Sequence, residues 1–229
     1  MPHNGSIRIL AHGPFGQAVA EDLAVLAGRD ERAVQVTGVR SGSGLGDFLA
    51  SGNLGILASF RDVASDLEAF AAAAASAGVA WLPIALSMHH ARVGPLFVPG
   101  TAPCGACYST RLAQHRQADG AASADLERAL EQDDALGVEG YPPHIVAIAA
   151  GLALTLARLP ACGGVASPLF LIDVATDAVA SWKVIGVHGC QGCDSAAHGR
   201  AAVAKRTERL RALTAGICPP PGAVLRKAP

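Results

Sequence analysis

Four of the six cysteines stand in two Cys-x-x-Cys pairs, Cys104-Gly105-Ala106-Cys107 and Cys190-Gln191-Gly192-Cys193. Two intervening residues let a tight turn aim both sulfurs at one point, and two such knuckles supply the four soft ligands a tetrahedral zinc ion prefers. Residues 108–189 lie between the pairs, whereas an independent zinc ribbon keeps its knuckles within about 15–20 residues of each other. The expected zinc therefore ties together two distant parts of a larger fold. Its role is structural, because four thiolates leave no open position for water or substrate. A redox dithiol beside a thioredoxin-like βαβ unit and two unrelated buried pairs are the alternative readings. Cys162 and Cys218 have no partner at ligand spacing and read as small buried or incidental residues.

A second string with chemical potential is Ala11-His12-Gly13-Pro14-Phe15-Gly16, a dinucleotide fingerprint whose first glycine is replaced by alanine. Gly13 and Gly16 are the candidate cofactor-binding residues. They keep the backbone approach and helix packing that let a pyrophosphate rest on a helix N-terminus. Two features make the turn read as vestigial. The acidic residue that would hold a ribose hydroxyl is missing from Val36-Thr37-Gly38-Val39-Arg40-Ser41, and Pro14 removes an N–H where phosphate needs donors. Arg40 facing a 2′-phosphate keeps an NADP-dependent oxidoreductase as an alternative. No catalytic nucleophile stands out, since Ser109 and Ser195 lie near the knuckles and not in a strand-to-helix elbow. His89 and His90 read as surface residues of a turn, and His188 as a hydrogen-bond partner of the second knuckle, not a fifth ligand. Glu127, Asp133 and Asp134 read as a solvated helix face.

The elements that must position these residues alternate through the first hundred residues. Ile7 to Ala11 is a strand, Gly16 to Leu26 a helix, Ala33 to Val39 a strand, Leu45 to Leu49 a short helix, and Leu54 to Ser59 a strand. Asp62 is expected to cap an alanine-rich helix through Ala77 that ends at Gly78, and Val79 to Leu86 makes a fourth strand. This pattern predicts an α/β fold with a parallel, doubly wound, Rossmann-like sheet. Beyond Pro99-Gly100 come helices over Cys104 to Gln117, Ser123 to Leu136 and His144 to Leu159. A hairpin of Leu169 to Val174 and Ala180 to Val187 then leads to the second knuckle. Residues 1–100 thus form an α/β half, 101–200 a zinc-knuckle, helical and hairpin half of the same domain, and 201–229 a basic helix (Ala201 to Thr214) with a proline-rich tail.

Composition narrows the function classes. Of the 229 residues 51% are hydrophobic and 16% charged, so an oligomer, as a homodimer or with a different subunit, is expected to cover apolar surface. A net charge of −1 and 4% aromatic residues argue against nucleic acid and against an anionic membrane surface. The first six residues have neither the basic nor the apolar region of a signal peptide, and the apolar run Ile145 to Leu156 is shorter than the ~20 residues of a membrane span. Both point to a cytoplasmic protein whose cysteines stay reduced and free for metal.

The string Val79-Ala80-Trp81-Leu82-Pro83-Ile84, then Val93-Gly94-Pro95-Leu96-Phe97-Val98-Pro99-Gly100, then Pro103-Cys104-Gly105-Ala106-Cys107 with Arg111, resembles a known family. It is similar to the ThiF-like partner proteins of YcaO-type azoline-forming cyclodehydratases, which modify ribosomally made peptides. His188-Gly189-Cys190-Gln191-Gly192-Cys193 resembles that family's second zinc knuckle, and the likeness runs from Ile7 to about Asp194. The resemblance implies a ThiF-type α/β domain with structural zinc on Cys104, Cys107, Cys190 and Cys193. It implies no ATP hydrolysis by the chain itself, and a role in presenting precursor peptide to the YcaO partner and stimulating it. An active adenylating relative would need an acidic ribose ligand, an arginine and a lysine that match no residue here. Members commonly begin with a winged-helix leader-binding module, for which a first strand at Ile7 leaves no room. An active ATP-dependent adenylating enzyme acting on a peptide is the alternative.

Overall fold

The computed structural model describes residues 6–30, 32–38, 44–118, 121–133, 135–158, 168–190, 192–193 and 208. Arg40, Asp134, Cys162, Ser195, Cys218, the proline-rich tail and all but residue 208 of the expected helix over 201–214 lie outside them.

Strand β1 (Ile7–His12) and strand β3 (Leu54–Ser59) are buried along almost their whole length. They are buried because helices cover both faces of a parallel sheet; β3 is accordingly almost wholly apolar, and the charged Arg8 within β1 donates to the Ser51 hydroxyl and carbonyl at 2.9 and 2.7 Å. With β2 (Val34–Thr37) and β4 (Ala80–Leu86) they form the parallel part of one seven-stranded sheet of order β2-β1-β3-β4-β5-β6-β7. Ile9 is level with Val36 on one side and Ile56 on the other, and Ile56 with Leu82. The expected parallel sheet stops at β4. Strand β5 (His90–Val93) returns antiparallel through a tight turn in which the Ser87 hydroxyl donates to the His90 carbonyl at 2.8 Å, and β6 (Pro168–Asp173) and β7 (Val179–Lys183) continue antiparallel. His90 is half-buried in that turn, and burial, followed by the neighbouring His89, lowers its pKa.

Helices α1 (Gly13–Gly28) and α6 (Pro143–Ala157) pack on one face through Phe15, Val19, Leu23, Ile145, Ala149 and Ala153. On the other face lie α2 (Leu45–Ala50), α3 (Ala64–Ala77) and α4 (Gly105–Ala118), with Leu49, Phe70, Trp81, Phe97 and Tyr108 at the centre of a second core. A further helix, α5 (Ala121–Gln132), precedes α6. Proline at its start opens α6 where an unpaired N–H would be lost in any case. At fifteen residues α6 is too short to span a bilayer, and no described helix is long and apolar enough to do so.

Helix α3 ends as expected at Gly78, whose φ of 66° is the left-handed conformation that glycine adopts at least cost. Its start differs from expectation. Val63 is the N-cap and contributes no side-chain hydrogen bond, while Asp62 is ion-paired with Arg92 of β5. The mostly buried guanidinium needs a counter-charge more than the helix needs this cap, since the Ser65 N–H of its first turn is taken by Glu131 and a buried charge cannot be hydrated.

Glycine at 16 is a packing requirement, because a Cβ there would lie 2.3 Å from the Ala58 carbonyl oxygen, a backbone atom that cannot swing away. Gly16→Ala is expected to destabilise the fold by about 1–3 kcal/mol. Gly28→Ala, at the open end of the same helix with nothing within 4 Å, is expected to be neutral or stabilising by up to about 1 kcal/mol. Urea denaturation of the two variants measures the contrast.

Candidate functional site

The first knuckle is built by the start of α4. Cys104 directly precedes the helix and Cys107 sits in its first turn, so the helical rise brings both thiols to one side at an Sγ–Sγ distance of 3.9 Å. Gly105 lets this helix end press onto α3 and β4, where a Cβ would meet the Ala71 methyl at 2.9 Å and the Trp81 ring at 3.0 Å. The second knuckle follows β7. Arg111 of α4 donates to the carbonyls of Ile185 and Gly186 at 3.3 and 3.4 Å, holding the descending chain against the helix. Gly192 completes the approach, since a Cβ there would sit 3.2 Å from the Cys104 sulfur.

The result is a four-sulfur cluster. Cys104 lies 3.6 Å from Cys190 and Cys107 lies 3.5 Å from Cys193, and all four sulfurs fall within 4.8 Å of one another. A tetrahedron with zinc–sulfur bonds of about 2.3 Å has sulfur–sulfur edges of roughly 3.8 Å, so the donor set fits a metal ion of that kind. Cys107 and Cys193 are buried, and Cys104 and Cys190 are half-buried. Without an ion, burial and thiol–thiol hydrogen bonding push the Cys193 pKa up, and burial raises that of Cys104. Burial acts the same way on Cys107 but is outweighed by the Val187 N–H, which donates to its sulfur at 3.3 Å, and by the Cys104 backbone, so its pKa falls. The supporting hydrogen bond expected from His188 comes from this backbone N–H instead, and His188 is exposed. Ser109 lies on α4, half-buried.

The glycine turn lies at the carboxyl ends of β1 and β3, where His12 and Ser59 are register partners. Gly13 has a φ of 68°, and α1 begins there with no acidic residue in its first turn. Phe60, the residue after β3, packs against Gly13, while Gly13 stays half-buried and Pro14 exposed. Its ring stands edge-on to His12, and its Cδ1–Cε1 edge occupies the place of a Gly13 Cβ, only 2.2 Å from where that atom would be.

Next to Phe60 is a set of buried charges that sequence reasoning missed. Arg61 donates to Asp66 at 3.2 Å and to the Leu130 and Asp133 carbonyls at 2.9 Å each, and Arg92 pairs with Asp62. His12 Nδ1 lies 3.4 Å from the Ser59 hydroxyl and 3.8 Å from Asp66. Two arginines against two aspartates leave the group formally balanced. The space beside Ser59, Arg61, Asp66 and Arg92 is about 10 Å³, room for about one water and not for a nucleotide. The available signal was Arg92 inside the apolar run Ala91-Arg92-Val93, a charge that a central strand can hold only with a partner.

No protein-family profile matches this chain, and no curated protein does. Its fold matches solved structures. A heterocyclase in complex with substrate and cofactor superposes with a TM-score of 0.57 at 16% identity over 83% of this chain, and the heterocyclase TruD with 0.56 at 17% over 82%. E. coli MccB with AMPCPP and MccA gives 0.54 at 13% over 83%. The chain spans about a quarter of the heterocyclase chains (26% and 27%) and 66% of the MccB chain. At these identities the likeness establishes a shared fold.

Because the four sulfurs converge from both ends of the second half of the chain, the metal would add directly to folding stability. Elemental analysis of the purified protein is expected to find one metal ion per chain. Cys107→Ser should lose the ion and several kcal/mol of stability in thermal or denaturant unfolding, whereas a stable, metal-free wild-type protein would contradict the assignment.

Proposed function

We propose that this protein is the ThiF-like accessory subunit of a peptide-modifying complex, without chemistry of its own. It presents a ribosomally made precursor peptide to an ATP-dependent YcaO-type cyclodehydratase and stimulates it. The observation that carries this reading is the Phe60 ring over the Gly13–Gly16 turn, within a fold shared with heterocyclases. Phe60 packed against Gly13 and the missing N–H of Pro14 support a turn in which Gly13 and Gly16 serve packing, with ATP belonging to the partner. The ion held by Cys104, Cys107, Cys190 and Cys193 is zinc, chosen by four thiolates in tetrahedral spacing and purely structural. Work beside such an enzyme is cytoplasmic. The exposed Val179, Trp182 and Ile185 around β7 support assembly as a homodimer or with the larger subunit. Adding the protein to a cognate cyclodehydratase and precursor peptide is expected to accelerate heterocycle formation, followed by mass loss of the peptide, and to co-purify with the enzyme. Unchanged rates and no complex would refute the accessory role.

A second reading, an active adenylating enzyme acting on a peptide, is favoured by the likeness to E. coli MccB, which has been solved with AMPCPP. Calorimetry with Mg-ATP separates the two. Negligible heat at micromolar to millimolar nucleotide is expected for the accessory subunit, and micromolar binding would favour the enzyme.

A further inference from the structure

The segment from the end of α5 to the start of α6, residues 135–142, lies against the carboxyl ends of β1 and β3, where it meets Phe60 after β3 and Phe15 beside the glycine turn. The Val138 N–H donates to the Phe60 carbonyl at 3.1 Å. Val138 and Tyr141 pack on the core, Tyr141 edge-on to Phe15 in the first turn of α1. The two edges of the Phe60 ring meet different glycines. One fills the Cβ place of Gly13 and the other, Cδ2–Cε2, that of Gly137, where a Cβ would lie 2.3 Å from the ring. The ring is thus a key held between the turn and the crossing segment, and it cannot yield to one without running into the other.

The anchor of this arrangement is Arg61. Its guanidinium, almost wholly buried and oriented by Asp66, donates to the carbonyls of Leu130 in the last turn of α5 and of Asp133 just beyond it. Glu131, between those two residues, accepts from the backbone N–H of Ser65 at 3.1 Å and from its hydroxyl, tying α5 to the start of α3.

We infer that residues 135–142 are a strap latched by Arg61, which holds Phe60 against Gly13 of the glycine turn in this form of the protein. The strap is hydrogen-bonded and packed at few points, so it can open locally while the sheet beneath stays folded, and opening withdraws the Gly137 wall that keeps Phe60 over the turn. The inference rests on the proposed function only in taking the turn as a former phosphate cradle. It is tested without nucleotide or partner, so either can fail while the other stands.

Amide hydrogen exchange of the whole protein reads the latch at Val138, with the amides of β3 as the internal reference. Arg61→Gln removes the anchor, and Gly137→Ala pushes a methyl group into the trapped ring without touching any charge. Each variant is expected to speed exchange at Val138 by about tenfold or more, with β3 exchange unchanged. Unchanged protection of Val138 in either variant would overturn the latch. So would a rise at Val138 matched by an equal rise in β3, which is the signature of a merely destabilised fold.

Discussion

Strands β1 and β3 are paired on both edges and covered on both faces, and most of the architecture follows from satisfying that burial. A parallel pair cannot be closed by a short turn, so each connection must cross a face of the sheet, and the crossing helices are what cover it. Helix α1 on one face and α3 on the other are therefore consequences of the same constraint. It also puts the start of α1 and the residue after β3 side by side, because His12 and Ser59 end their strands in register. The site at the carboxyl ends of the sheet is created by topology before any of its side chains is chosen.

What occupies that site is decided by residues that follow the strands. A phenylalanine stands over the glycine turn, and behind it two buried arginines are matched by two aspartates. Such a buried network is costly to assemble and costlier to break, so its members are strongly constrained to be present together. Arg61 turns this to use by reaching out of the network to the end of α5. A charge desolvated within one element becomes the fastening of another.

The four-sulfur cluster depends on the antiparallel half. Strand β5 reverses the direction of the sheet, so the chain leaves it near the start of α4. The β6–β7 hairpin then brings the second pair of cysteines back to the same place. Arg111 and the Val187 N–H hold the returning segment so that the sulfurs meet near tetrahedral spacing. The cluster joins parts of the chain that no continuous stretch of secondary structure connects.

Local chemistry made much of this legible. The burial of β3 was visible in its apolar run, the end of α3 in Gly78, the start of α6 in Pro142-Pro143, and the pairing of thiols within each knuckle in the spacing of the cysteines, since each of these depends on neighbouring residues. The desertion of the Asp62 cap for Arg92 and the packing of Phe60 on Gly13 were not, because each depends on a partner distant in sequence. By itself the sequence determined which segments bury and which sulfurs can bind. Only the tertiary structure decided which buried charges face each other and which side chain packs on the glycine turn, because desolvation and steric exclusion are set by what lies opposite, not by what lies next along the chain.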